Sequence, residues 1–318
     1  MAVASLRELA NSSHEVAGVI TRPPARRGRG RKLVSSPVGQ LATELGVPLI
    51  ETSTPAAPGA IEQIVNLEAD LGVVVAYGAI LKSSILRIPR FGWINLHFSD
   101  LPRWRGASPV QHTIMARDPQ AWTSVFQLEV GLDTGPVYDR RSLELTGRET
   151  AGELLETLGK LGAIQLVEVV DALQAGTANA VPQDEGVDFV NCTYAQRLSK
   201  ADAFINFTAP AVEVDALIRA VTPEPGAWTT VEGKTLRLGA VQIIADVDAV
   251  VADTVLEHGV VSAQKNRILV GCGQGIVELS QVAPQGRKWM DAAAWWRGAR
   301  LPEGTQLGLA LAKDGGIR

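Results

Sequence analysis

Leu71-Gly-Val-Val-Val-Ala-Tyr77 is apolar along its whole length rather than at alternate positions. Such a run reads as a strand buried on both faces, which calls for a sheet covered on both sides. The stretches before it alternate between helical and strand-like patterns. Val3, Leu6 and Leu9 place a helix over Ala2 to Asn11, and Glu15 to Thr21 reads as a short, largely apolar strand. Val38 to Leu45 and Ala60 to Leu67 read as the helices that follow. Strands alternating with helices imply a doubly wound, mostly parallel α/β sheet with right-handed crossovers.

A chemically loaded stretch comes next, Asn95-Leu-His-Phe-Ser-Asp-Leu-Pro-Arg-Trp-Arg-Gly106. Phe91 to Leu96 reads as the end of a buried strand, with Asn95 and His97 on one face at period 2. Pro102 and Gly106 keep the following turn irregular, and such loops at the carboxyl edge of an α/β sheet are where ligands bind. A lone Asn-x-His is more often a satisfied strand end. A second element, Glu129-Val-Gly-Leu-Asp-Thr-Gly-Pro136, changes that balance. Val125 to Val130 reads as a strand, and Gly131 and Gly135 bracket a tight loop around Asp133.

Together the two stretches resemble the formyltransferases that use 10-formyltetrahydrofolate, whose signature is Asn-x-His-x-Ser-x-Leu-Pro-x-aromatic-Arg-Gly followed by Gly-Leu-Asp-x-Gly. Asp100 departs from the pattern, standing where leucine is usual. The resemblance implies a Rossmann-like catalytic domain, 10-formyltetrahydrofolate as co-substrate and a catalytic trio of Asn95, His97 and Asp133. It also implies folate contacts from Tyr77 to Leu81, the Leu128 to Asp133 loop, and Ser99, Asp100, Leu101 and Pro102. In formyl transfer to an amine, Asn95 would donate to the developing oxyanion and His97 would donate or accept a proton. Asp133 would orient the imidazole and favour its charged form.

Six cations, Arg22, Arg26, Arg27, Arg29, Arg31 and Lys32, share a loop kept open by prolines and glycines. Most charge runs are solvated loops, but guanidinium groups also neutralise phosphates and bond to bases. Within the resemblance, methionyl-tRNA formyltransferases carry an Arg-Gly-Arg-Gly insertion here that enters the acceptor stem, with Arg29 at the discriminating position. Arg26, Arg27, Arg29, Arg31 and Lys32 are therefore the expected contacts to methionyl-initiator tRNA. Thr193 to Lys200 resembles the family's linker. Phosphoribosylglycinamide formyltransferase lacks the second domain and the basic loop, and formyltetrahydrofolate deformylase carries a regulatory module not found here. A sugar-nucleotide formyltransferase should lack the Arg-Gly-Arg loop.

The resemblance also carries a warning. Members begin with a buried strand and a Gly-Thr-Pro-type turn, whereas Met1 sits almost at the first helix. A central strand left out would strand backbone groups on two neighbours at about 1–3 kcal/mol each, against a total stability of about 5–15 kcal/mol. The expectation is either a true start upstream or a poorly folded, weakly active chain, in the extreme a tRNA-binding protein without catalysis.

Ala151 to Ala175 is amphipathic, with Leu154, Leu158, Leu161 and Val170 among its apolar residues, and reads as the last long helix on the sheet. Pro182 to Gly186 marks a boundary, giving a catalytic domain over 1–184, a linker over 185–204 and a second domain over 205–318. In that last part a helix around Ala209 to Ala220 precedes short strand-like runs over Trp228 to Val231, Leu236 to Ala245, Gly259 to Ala263, Arg267 to Gly271 and Gly275 to Ser280. They suggest a small OB-like antiparallel β-barrel. Lys234, Arg237, Lys265, Arg267, Arg287 and Lys288 are candidates for a basic face, and Trp289, Trp295 and Trp296 read as packing on a terminal helix.

At 318 residues the chain has room for two cores, and 46% hydrophobic with 20% charged residues is ordinary globular composition. No apolar run reaches bilayer length and no signal-peptide core is present, so no membrane contact is expected. The chain is expected to be a cytoplasmic monomer, though no pattern in the residues sets its oligomeric state. Cys192 and Cys272 lack metal-ligand spacing, and His14, His112 and His258 are isolated, so no metal is expected. A net charge of −4 gives no global sign of nucleic acid.

Overall fold

The computed structural model describes residues 1–27, 32–78, 81–183, 192–244, 256–302 and 304–309. The chain divides into two compact units. One comprises Met1–Val110, Gln120–Leu145 and Leu154–Gln196, the other Gln111–Pro119, Thr146–Glu153 and Arg197–Arg318.

Through the first part of the chain the order is α1 (Ala2–Asn11), β1 (Val19–Thr21), β2 (Ala25–Arg27), β3 (Lys32–Val34), α2 (Pro37–Glu44), β4 (Leu49–Glu51), α3 (Pro58–Val65), β5 (Gly72–Val74) and α4 (Ser83–Leu86). Then come β6 (Trp93–His97), β7 (Arg105–Gly106), α5 (Pro109–Ala116), β8 (Gln120–Gln127), β9 (Val137–Glu144), α6 (Ala151–Ala175) and β10 (Tyr194–Ala195). Local chemistry sets several of these boundaries. Ser36 Oγ accepts from Gly39 N at 3.0 Å and Pro37 takes the first turn of α2, where its missing N–H costs nothing. At the start of α6, Thr150 and Glu153 cap each other: Glu153 Oε2 accepts from Thr150 N at 3.0 Å and Thr150 Oγ1 from Glu153 N at 3.3 Å.

Strands β1 and β4 pair in parallel, Ile20 opposite Ile50, as do β5 and β6, Val74 opposite Asn95. β8 runs antiparallel to β6 and to β9, so the sheet beside the site is mixed, in the order β5-β6-β8-β9. Among the described residues β1 and β5 each have one hydrogen-bonded neighbour, although Ile20 and Val74 pack on the same apolar cluster of Ile50, Ile64, Ile85 and Trp93. That arrangement corrects the reading of Leu71 to Tyr77 as fully buried. Only Gly72–Val74 is strand, Val73 and Val74 are half-buried, and Ala76 is exposed. Likewise β8 ends at Gln127, so Val130, expected within the strand, lies in the loop and is 73% exposed.

The second unit contains α7 (Ala211–Ala220), β11 (Trp228–Val231), β12 (Lys234–Leu238), β13 (Val241–Ile243), β14 (Val261–Gln264), β15 (Arg267–Gly271), β16 (Ile276–Leu279), β17 (Gln281–Pro284), β18 (Met290–Asp291) and α8 (Ala292–Ala299). They form two four-stranded antiparallel sheets, β11-β12-β17-β18 and β13-β16-β15-β14. One core serves both, with Ile205, Phe207, Ile218, Leu236, Ile268, Val277, Val282 and Trp295 buried in it. The run Leu236 to Ala245 is therefore not one strand. The chain leaves the first sheet at Gly239, whose N donates to Gln281 O at 2.9 Å, and re-enters as β13 in the other. Trp295 is buried and Trp296 packs against it at a steep ring angle, whereas Trp289 is 46% exposed with the Arg237 guanidinium 4.9 Å from its ring centre.

Candidate active site

Strand β6 carries Asn95 and His97 on one face, and its parallel pairing with β5 ends where Val74 stands opposite Asn95. Asn95 is half-buried, and among the described residues nothing hydrogen-bonds its side-chain amide. His97 is buried against the edge of Phe126. Its Nε2 lies 2.9 Å from Trp104 O. A carbonyl only accepts, so Nε2 carries the hydrogen and the neutral ring keeps its lone pair on Nδ1. That atom faces Asp133 Oδ2 at 3.9 Å, an ion-pair distance rather than a hydrogen bond.

Asp133 is buried too, with its backbone at φ 52°, a left-handed conformation that aspartate tolerates better than most residues. Its Oδ2 accepts from Gly106 N at 2.8 Å. Gly106 itself sits at φ 119° with Ala195 O only 2.7 Å from where a Cβ would be, so no other residue fits that point. β10, in the stretch expected to be a linker, pairs in parallel with β7, and Trp104 N donates to Thr193 Oγ1 at 2.9 Å.

Burial holds the His97 imidazole below its ordinary 6.5, with the Asp133 carboxylate and the Trp104 carbonyl pulling the other way. The neutral ring is thus the resting form. Asp133 does favour the charged form, as expected, but desolvation outweighs it.

The loop after β6 is tied to itself and to the neighbouring strands β8 and β9. Ser99 Oγ donates to Arg103 O at 2.6 Å, Ser124 Oγ donates to Ser99 O at 2.6 Å, and Arg140 Nη2 donates to Leu101 O at 3.0 Å. Leu101 is buried with Phe126 and Val137, and Pro102 is buried as well. Asp100 pairs with Arg140, Nε to Oδ1 3.3 Å, and burial raises its carboxyl despite Arg140 and Arg103. Tyr77 donates its hydroxyl to Thr52 O at 2.9 Å, and Leu81 packs on the Ile64–Trp93 cluster. Of the cationic loop, Arg26 and Lys32 are exposed on the β2–β3 hairpin and Arg27 lies opposite Lys32, while Arg29 and Arg31 fall outside the described residues.

The comparisons with known proteins bear on what this geometry serves. The formyl transferase family model matches residues 1–170, and the formyl transferase C-terminal domain model matches residues 197–300. A methionyl-tRNA formyltransferase of Thermobifida fusca is 44% identical over 308 residues, 97% of this chain and 96% of its own length. The chain belongs to the methionyl-tRNA formyltransferase family. A second member of that family, from Streptomyces coelicolor, is 44% identical over 301 residues, 94% of each chain. The solved N-formyltransferase of Helicobacter canadensis, in complex with folinic acid and dTDP-3-aminofucose, superposes on 87% of this chain and 94% of its own with a TM-score of 0.62. At 14% identity that last likeness is one of fold. The family motifs lead directly to Asn95, His97 and Asp133, whereas the main-chain partners at Trp104 and Gly106 have no residue-type signal to read.

Proposed function

We propose that the chain transfers a formyl group from 10-formyltetrahydrofolate to the free amine of methionyl-initiator tRNA, acting as a cytoplasmic monomer in translation initiation. The observation that carries this is the meeting of His97 and Asp133 at the end of β6, two residues beyond an Asn95 amide with both N–H groups to offer. Exposed Val130 and Leu132 beside Asp133 suit the flat ring system of a folate. When bound, that folate supplies the formyl carbon and the nitrogen that leaves.

Asn95 donates to the oxyanion that develops when the amine attacks. His97, resting neutral with its lone pair on Nδ1, takes the proton from the attacking amine. The Asp133 carboxylate steadies the imidazolium so formed, and the same imidazolium returns the proton to the leaving nitrogen. Arg26, Arg27, Arg29, Arg31 and Lys32 engage phosphates of the acceptor stem.

Charged initiator tRNA, free methionine and a nucleotide amine, each offered with 10-formyltetrahydrofolate, test the assignment together. Turnover is expected with the tRNA alone. Asn95→Ala should lower that turnover by about 10²–10³, the usual loss for one oxyanion donor, with tRNA affinity unchanged. Weakened affinity with intact turnover would contradict the role given to Asn95.

A further inference from the structure

Two buried polar side chains lie behind the site without facing the reacting groups. Gln183 and Arg105 are 2% and 8% exposed. Gln183 Nε2 donates to Asp133 O and to Gly135 O, each at 2.7 Å, and Gln183 Oε1 accepts from Arg105 Nε at 3.0 Å and Nη2 at 2.6 Å. Every hydrogen-bonding group of the amide is used. Its orientation is forced, because turning it over would set an NH2 against the guanidinium and an oxygen against two carbonyls.

The loop that Gln183 grips is the one that carries Asp133. Gly135 sits with Gln127 O 1.9 Å from a Cβ position, so that end of the loop is pressed onto β8. Asp133 is left-handed, a conformation that persists where its surroundings fix it. Gln183 ties down the carbonyl at Asp133 and the one two residues on. Arg105, the residue that fixes Gln183, lies between Trp104, whose carbonyl accepts the hydrogen bond from His97 Nε2, and Gly106, whose N–H donates to the Asp133 carboxylate. One tripeptide therefore reaches the histidine, the glutamine and the aspartate.

We propose that Gln183, locked by Arg105, is a positioning residue that sets where the Asp133 carboxylate stands relative to His97. The proposal rests on the reading of His97 and Asp133 as the acid–base pair. Neither Gln183 nor Arg105 touches a reacting atom. Their contribution is the 3.9 Å spacing between Nδ1 and Oδ2, where a displacement of about 1 Å is enough to cost about 10² in rate. The groups that act on the ring are the Asp133 carboxylate, the Trp104 carbonyl and the Phe126 ring, and of these Gln183 binds only the loop that carries the carboxylate.

Gln183→Glu tests this with little change in volume. The carboxylate keeps Arg105 as a partner but offers no hydrogen to the Asp133 and Gly135 carbonyls. In the full chain with charged initiator tRNA, kcat should fall by about 10–10² while KM for both substrates stays within about threefold. The acid limb of kcat/KM should move to lower pH, since a displaced Asp133 no longer lifts the His97 imidazole. Asp133→Asn should cost less in the Gln183→Glu background than in the wild type, because the two changes disable one device. Thermal melting of each variant reads any loss of fold separately, and Gln183→Met gives a second clamp-less variant should the glutamate unfold the loop. Wild-type kcat and an unmoved acid limb in a folded Gln183→Glu would overturn the proposal, as would strictly additive losses. If Asp133→Asn alone leaves kcat and the limb untouched, it is the acid–base pair itself that fails.

Discussion

The proton on His97 is placed by the backbone, and its affinity is set by burial. Trp104 O holds the hydrogen on Nε2, and desolvation lowers the ring below 6.5, leaving Nδ1 as the basic atom at neutral pH. The folded state therefore favours the neutral ring. The stability this secures is fully present above about pH 6.5 and drains away as pH falls through the lower, folded value, where the buried ring must charge. The same titration should give kcat/KM an acid limb below pH 6.5 that His97→Gln abolishes along with the activity. Stability measured by denaturant from pH 7 to pH 5 should fall less steeply in His97→Gln than in the wild type. A steeper fall in the variant would mean that the imidazole is not held neutral. At this scale the sequence was informative where side chains carry a pattern. Asn95 and His97 share a strand face, and Asp133 stands between two glycines. Gln183 gave no such signal, since it lies in a Pro-flanked break 50 residues from the carbonyl it grips.

Among the elements, segments with a clear apolar pattern were legible, and strands that are very short or rich in charge were not. Ala2–Asn11 and Ala151–Ala175 are helices over the residues their apolar spacing indicates, and Trp228–Val231 and Arg267–Gly271 are strands over theirs. β4 is only three residues long, and β9 reads Val-Tyr-Asp-Arg-Arg-Ser-Leu-Glu, whose charges mask a strand paired on one side with β8. The expected 236–245 strand hid a change of sheet, because apolar alternation carries no record of which partner a strand takes. The reciprocal cap at the head of α6 belongs to this scale. Thr150→Ala removes one half of it and should lower global stability by about 0.5–2 kcal/mol in denaturant melts, with kcat unchanged. A loss of turnover at full stability would show that the cap does more than begin a helix.

At the scale of the whole molecule, the chain joins a mixed α/β unit to a unit of two antiparallel sheets, and no helix among the described residues is long and apolar enough to cross a membrane. Its net charge of −4 gives the tRNA no general attraction, so the proposed binding depends on local cations. Replacing Arg26, Arg27 and Lys32 together by glutamine should weaken tRNA binding at low salt. It should also flatten the dependence of log K on log salt by about 0.7–0.9 for each phosphate that is no longer neutralised. An unchanged slope would leave the hairpin as a solvated face.

The pairing of Tyr194–Ala195 with Arg105–Gly106 bears on how the enzyme comes into being. Asn95, His97 and Asp133 all leave the ribosome early, yet the peptide that orients the last two waits for a strand made 89 residues later, where Thr193 meets Trp104. A nascent chain that has not yet released residues 193–195 therefore carries the proposed trio without the strand that holds Trp104 and Gly106 in place.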